Sequence, residues 1–209
     1  MTLYTHSIDY CTQEKIGVHG LSVEEISGHL ASLRSGFAKL KSRGFLGANP
    51  IIDITVRSDD IEAMETLAEA IRKRFHHVLV VGCGGSGLSG AALLALAPCP
   101  SPTFDFLDNI DPDMLEDILA KIQIENTCFI IISKSGNTLE TLAQTYALVE
   151  RMKKKIGRTA LPAQFIIITE PEEKEGDNPL RQLAREYDLR VFDHAKDIGG
   201  RFAIFTNVG

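Results

Sequence analysis

VLVVGCGGSGLSGAALLAL, residues 78 to 96, decides how the rest of the chain is read. VLVV is an unbroken apolar run, as expected of a strand buried on both faces. GCGGSG is a glycine turn, and an apolar helix follows it. Gly82, Gly84 and Gly87 fit the G-x-G-x-x-G spacing of a dinucleotide site. Glycines let the backbone turn sharply and let a ligand approach its N–H groups. A helix starting near Ser86 presents unpaired donors and a partial positive charge, so the turn is a ready anion site. The Ser86 hydroxyl can cap the helix or touch a ligand, and the two roles are compatible. A phosphate P-loop fits less well, because no lysine follows the glycines in GLSG.

Outward from this stretch the chain alternates. Strands are predicted at His77 to Val81, Thr103 to Leu107, Thr127 to Ile132, Gln164 to Thr169 and Leu189 to Phe192. Helices are predicted at Ser86 to Ala97, Pro112 to Ile122, Asn137 to Lys155 and Pro179 to Tyr187. Such alternation argues an α/β fold: a doubly wound, five-stranded parallel sheet with helices on both faces. Upstream, Ser22 to Glu25 (SVEE) is a capping box. It opens a helix whose apolar face is Val23, Ile26, Leu30, Leu33, Phe37 and Leu40. GFLGANP ends that helix. A second helix, Asp59 to Phe75, is expected to bury Ile61, Met64, Leu67, Ala68 and Ile71. Residues 1 to 20 have no clear period and are expected to be loosely ordered.

A second loop, SKSGNT at Ser133 to Thr138, also joins a buried run to a helix. Capping by Asn137 or Thr138, with Glu140 in the first turn, explains part of it. It does not explain Ser133, Lys134 and Ser135 together. Hydrogen bonds to a charged phosphate are worth roughly 1.5–3 kcal/mol each, so this cluster suits a phosphate. In the strand order 2-1-3-4-5 the ends of strands one and three are neighbours at the switch point, and both loops face one pocket. In the dinucleotide order 3-2-1-4-5-6 the second loop has no phosphate to meet. The dinucleotide reading keeps Asp105 and Asp108, about 20 residues past the glycines, as ribose-binding acids. DNIDP also reads as a turn, with Asp111 capping a helix that has Pro112 in its first turn.

The chain closes with DIGGRFAIFTNVG, in which a glycine turn can place the Arg201 guanidinium against a carboxylate or an oxyanion. Together VGCGGSGLSG, NIDPDML, SKSGNTLET and GGRFAIFTNVG resemble the phosphoglucose isomerases over roughly residues 55 to 209. These are aldose–ketose isomerases built from two sugar-isomerase domains. The resemblance implies that the glycine loop (Gly85, Ser86) and the second loop (Ser133, Lys134, Ser135, Thr138) bind a sugar phosphate, Lys134 mainly through its backbone. It implies that Arg201 stabilises an enediolate. Ala203 stands where a serine is usual, and Asn207 where a small residue is usual. The SKSGNT loop is also similar to that of bifunctional glucose/mannose phosphate isomerases.

The family's proton-transferring glutamate, ring-opening histidine and a further lysine lie beyond GGR, and no residue here is matched to them. The expectation is therefore an N-terminal half, inactive alone: residues 1–50 a helical segment, 51–198 the sugar-phosphate domain, 199–209 the start of a connection. A stand-alone sugar-phosphate module and an NAD-binding domain remain alternatives. The apolar Phe202, Ile204 and Phe205 are expected to drive self-association or disorder of the tail.

Composition narrows the classes. The chain has 209 residues, 44% hydrophobic and 24% charged, with net charge -6. That balance suggests neither a nucleic-acid nor a membrane partner. The basic run Arg151 to Lys155 suits the negative end of a helix dipole. Cys11, Cys83, Cys99 and Cys128 show no C-x-x-C spacing, and no histidine pair completes a metal pattern. Cys83 and Cys128 are expected to be plain buried thiols. A reducing cytoplasm fits, with no metal and no cofactor. The family resemblance adds a homodimer for the full-length protein.

Overall fold

A computed structural model describes residues 5–42, 47, 49–58, 60–96, 101–174 and 176–206. The chain divides into two units, 1–53 and 54–209.

The first unit contains α1 (Gln13–Ile16), α2 (Val23–Ser42) and α3 (Pro50–Asp53). Residues 9 to 19 are more regular than expected, with short 3-10 turns flanking α1 and a bridge between Thr12 and Leu21. The capping box is as read: the Ser22 N–H donates to Glu25 Oε2 at 2.8 Å, and the Glu25 N–H to Ser22 Oγ at 3.1 Å. The apolar face of α2 is present, with Ile26 and Leu40 partly buried and Leu33 64% and Phe37 61% exposed. Of the predicted break after it, residues 43–46 and 48 lie outside the described residues.

The second unit follows the predicted alternation: α4 (Ile61–Arg74), β1 (His77–Val81), α5 (Gly85–Leu96), β2 (Thr103–Leu107), α6 (Pro112–Lys121), β3 (Thr127–Ile132), α7 (Leu139–Ile156), β4 (Phe165–Thr169), α8 (Pro179–Tyr187) and β5 (Arg190–Asp193). All strands pair in parallel in the order 2-1-3-4-5, with Val81 beside both Leu107 and Ile131. The apolar runs serve both faces, as alternate side chains must. Leu79, Val81, Phe129, Ile131, Phe165 and Ile167 pack with α6, α7 and α8 in one core cluster. Within it the Phe129 and Phe165 rings stack at 4.6 Å. Val78, Val80, Cys128, Ile132, Ile166 and Ile168 form the other face.

Caps set the helix starts. Asp111 accepts from the N–H groups of Asp113 and Met114, with Pro112 in the first turn, and Asn178 accepts from Arg181. The basic run ends α7, where Lys153, Lys154 and Lys155 meet the negative dipole end.

The second face is less well covered than the sequence suggests. Met64, Leu67, Ala68 and Ile71 of α4 are only partly buried, and Ile61 is exposed, because a cavity of about 480 Å3 separates α4 and α5 from the sheet. Its lining is apolar apart from Ser86 and Arg72. The final motif forms a 3-10 turn, Gly200–Phe205, with Ala203 fully buried. The expectation of disorder therefore fails for residues 200–205. Phe202 and Phe205 do stay 40% and 57% exposed, which is the condition self-association needs. Asn207 to Gly209 lie outside the described residues.

Two buried histidines give this unit an acid-sensitive window. Burial holds the pKa of His77 and of His194 below the ordinary 6.5. Well above pH 6.5 both states are neutral there, and no stability is lost. As pH falls through 6.5 the unfolded chain gains protons that the folded chain refuses, so stability falls until the depressed folded values are reached. The urea midpoint is expected to drop between about pH 7 and 5. A His77→Gln/His194→Gln variant should flatten that drop, and an unchanged slope would contradict the assignment.

Candidate functional site

The chemistry-bearing loops leave the carboxyl ends of β1, β3 and β5. Gly84 has φ +60°, a left-handed conformation that favours glycine, and it turns the chain from β1 into α5. The helix begins at Gly85, so Ser86 lies inside the first turn and is not the cap. That corrects the capping role considered for it and leaves its hydroxyl free of that duty. A Cβ on Gly82 would lie 2.9 Å from the Ile132 carbonyl oxygen, so the first loop rests against the end of β3.

In the second loop Ser133 is buried and its Oγ lies 2.9 Å from Thr138 Oγ1. Thr138 takes the N-cap position of α7 without a side-chain capping bond. The first-turn N–H groups of α7 are thus left uncapped by this hydroxyl. Ser135 is exposed, and its Oγ accepts from the Asn137 N–H at 3.2 Å. Gly136 has φ +67°, and a Cβ there would overlap the Asn178 side chain. Asn178 in turn donates to Thr169 Oγ1 at 2.8 Å and to the Glu170 carbonyl at 3.1 Å. The loop is therefore braced against the end of β4.

The Lys134 side chain reaches a different part of the chain. Its ammonium donates to the carbonyls of Lys196 and Ile198, each at 2.8 Å, and pairs with Glu170 at 3.3 Å. Arg201 follows this anchored segment. It is exposed and has no partner among the described residues. The Gly200 carbonyl abuts Gly85 so closely that a Cβ on Gly85 would overlap it. Three ties result: glycine loop to β3 end, glycine loop to arginine turn, and second loop to arginine turn. All the sequence-predicted site residues, Gly85, Ser86, Ser133, Lys134, Ser135, Thr138 and Arg201, fall on these three segments.

The electrostatics separate two cations. Glu170 faces the Lys134 ammonium, whereas the Arg201 guanidinium faces no carboxylate among the described residues. Beside the Lys134–Glu170 pair lies His194, which is buried, with Nδ1 2.9 Å from the Ala195 carbonyl and Nε2 unpartnered. Burial is the main cause of its lowered pKa, and the Lys134 charge acts in the same direction. Cys83 is half-buried, less sheltered than expected, and burial raises its pKa. Cys128 is buried as expected and its pKa is pushed up to about 12, so it is inert as a thiolate. Cys99 lies outside the described residues.

Asp105 does not point toward the glycine loop. It lies 3.4 Å from His77 Nε2, and His77 is the first residue of β1. Asp108 does lie close, with its Cβ 3.6 Å from a Cβ built on Gly87. Glu170, Asn178 and His194 escape a reading of the sequence. Glu170 and His194 show only as polar residues just past an apolar run, a weak signal, and Asn178 only as a helix cap ahead of Pro179. Among the described residues no group of three metal-ligating side chains occurs, and no helix is long and apolar enough to cross a membrane.

The chain is similar to known proteins along most of its length. The family model of phosphoglucose isomerase matches residues 57–209. A glucose-6-phosphate isomerase of Carboxydothermus hydrogenoformans is 32% identical over 96% of this chain and 44% of its own length. One from Methanocaldococcus jannaschii is 29% identical over 97% of this chain and 46% of its own length. The chain thus spans about half the length of these curated relatives. Among solved structures, a hypothetical protein from Thermus thermophilus superposes with TM-score 0.71 at 26% identity, covering 89% of this chain and 44% of that one. A glucose-6-phosphate isomerase from Chlamydia trachomatis superposes with TM-score 0.58 at 29% identity, covering 75% and 32%.

Proposed function

This chain belongs to the phosphoglucose isomerase family, and we propose that it supplies the phosphate grip and the enediolate-stabilising arginine of a glucose-6-phosphate isomerase. The reaction is the interconversion of glucose 6-phosphate and fructose 6-phosphate by proton transfer between C2 and C1 of the open-chain sugar. Ser133, Ser135, Thr138 and Ser86 offer hydroxyls to the phosphate, and the backbone N–H groups at Gly85, Ser86 and Lys134 complete the cradle. Arg201 faces the negative charge that develops on the enediol oxygens. No residue of this chain is assigned as general base. The carboxylate that moves the proton is proposed to come from the part of the family's chain that follows the arginine motif.

The observation that supports this most is the three-way junction of the glycine loop, the hydroxyl-rich loop and the arginine turn. Residues 51–198 are proposed as the sugar-phosphate domain, 1–50 as a helical segment and 199–209 as the link onward. A homodimer and a cytoplasmic setting are proposed for the complete protein on family grounds.

Calorimetry tests the substrate class. The 209-residue chain is expected to bind glucose 6-phosphate, to bind NAD(H) much more weakly, and to show no appreciable isomerisation. Tight NAD(H) binding without phosphosugar binding would overturn the reading.

A further inference from the structure

We propose that the Lys134 side chain is a positioning residue for Arg201: by donating to the carbonyl oxygens of Lys196 and Ile198, it fastens the arginine turn to the hydroxyl-rich loop. This rests on the proposed role of Arg201 and adds a device that sets where the guanidinium stands.

An ammonium has three protons. Those of Lys134 meet three acceptors: Lys196 O at 2.8 Å, Ile198 O at 2.8 Å and Glu170 Oε1 at 3.3 Å. None is left for a phosphate. A lysine inside a phosphate-binding loop, with its charge spent elsewhere, calls for another role.

The place where it is spent supplies that role. The two carbonyls lie 62 and 64 residues further along the chain. Ile198 immediately precedes Gly199, Gly200 and Arg201, and Lys196 lies two residues before Ile198. Two adjacent glycines form a freely hinged approach to the arginine. The hinge is held on both sides. After it, Gly200 abuts Gly85, and the Phe202 N–H closes onto the Gly199 carbonyl at 2.8 Å. Before it, Ile198 is fully buried and Lys134 holds the flanking carbonyls.

The other end of the lysine is equally fixed. Its carbonyl accepts from the Glu170 N–H at 2.9 Å and from Thr169 Oγ1 at 3.2 Å. Main chain and side chain of Lys134 therefore both close onto Glu170. An ion pair of this burial adds little net stability. Its effect is on geometry: the residue between Ser133 and Ser135 carries a strut to the arginine turn.

The test uses the 209-residue chain and two probes. Inorganic phosphate senses the loops. A five-carbon phosphorylated aldonohydroxamate adds a planar anionic end that mimics an enediolate and senses Arg201. The readout is the preference for the hydroxamate over phosphate, so that any change in the phosphate grip cancels. Arg201→Met should reduce that preference roughly a hundredfold and Lys134→Met roughly tenfold. In the Arg201→Met background Lys134→Met should reduce it no further, because the lysine acts only through the arginine. Lys134→Arg should restore part of the loss. Glu170→Gln, which leaves the lysine in place, should give a smaller loss of the same kind. A wild-type chain with no preference would overturn the assigned role of Arg201, and this proposal with it, before any variant is made. A preference that survives Lys134→Met, or that falls equally with and without Arg201, would overturn the strut alone.

Discussion

Gly85→Ala is expected to weaken phosphosugar binding at least a hundredfold, more than the loss of any single hydroxyl. Helix propensity alone predicts the opposite, since alanine is better than glycine by about 1 kcal/mol inside a helix. Packing decides. The new Cβ would overlap the Gly200 carbonyl oxygen, a backbone atom that cannot swing aside. The glycine loop and the arginine turn must then separate, and the cradle parts from its guanidinium. Overpacking of this kind costs typically about 1–3 kcal/mol of stability. Gly90→Ala in the same helix is the control. There the nearest atom is a ring carbon of Phe106 at 3.3 Å, and the ring borders the cavity, so it can yield. Isothermal titration of both variants with glucose 6-phosphate, alongside urea denaturation, checks the contrast. Equal binding by the two variants would contradict it.

The Ser135→Ala/Thr138→Ala double substitution is expected to weaken phosphosugar binding by about 3 kcal/mol, roughly a hundredfold. Ser135 is exposed and contributes little to packing. Thr138 gives up one hydroxyl pair with Ser133. Stability should therefore fall by about 1 kcal/mol or less. Inorganic phosphate should lose affinity in parallel with the sugar phosphate, because these hydroxyls are assigned to the phosphate and not to the sugar. A drop confined to the sugar phosphate, or none in either ligand, would remove the second loop from the site.

How much of this is legible in the sequence follows from the range of each interaction. The strands can be read because burial on both faces leaves unbroken runs such as FIII, which occurs at 129–132 and again at 165–168. The strand order can be argued from chemistry, because two phosphate-suited loops make sense only as neighbours. The capping box at Ser22 and Glu25 and the Asp111–Pro112 helix start are local and read directly. Residue patterning places the start of α5 one residue late, because Gly84 makes the left-handed turn and frees Gly85 to be helical. The periodicity of α2 and α4 shows an apolar face but cannot show whether anything covers it. The ties of Lys134 to carbonyls 62 and 64 residues away, and the bracing of Gly136 by Asn178, are non-local. Backbone acceptors carry no residue signature, so no pattern in the sequence announces them.

The central claim is that one phosphoryl group is shared by the turns after β1 and β3. Amide chemical-shift titration of the labelled chain with glucose 6-phosphate measures this directly. The amides of 84–87 and of 133–139 are expected to shift together, along one binding curve. Shifts confined to the first turn, or two curves with different midpoints, would contradict it.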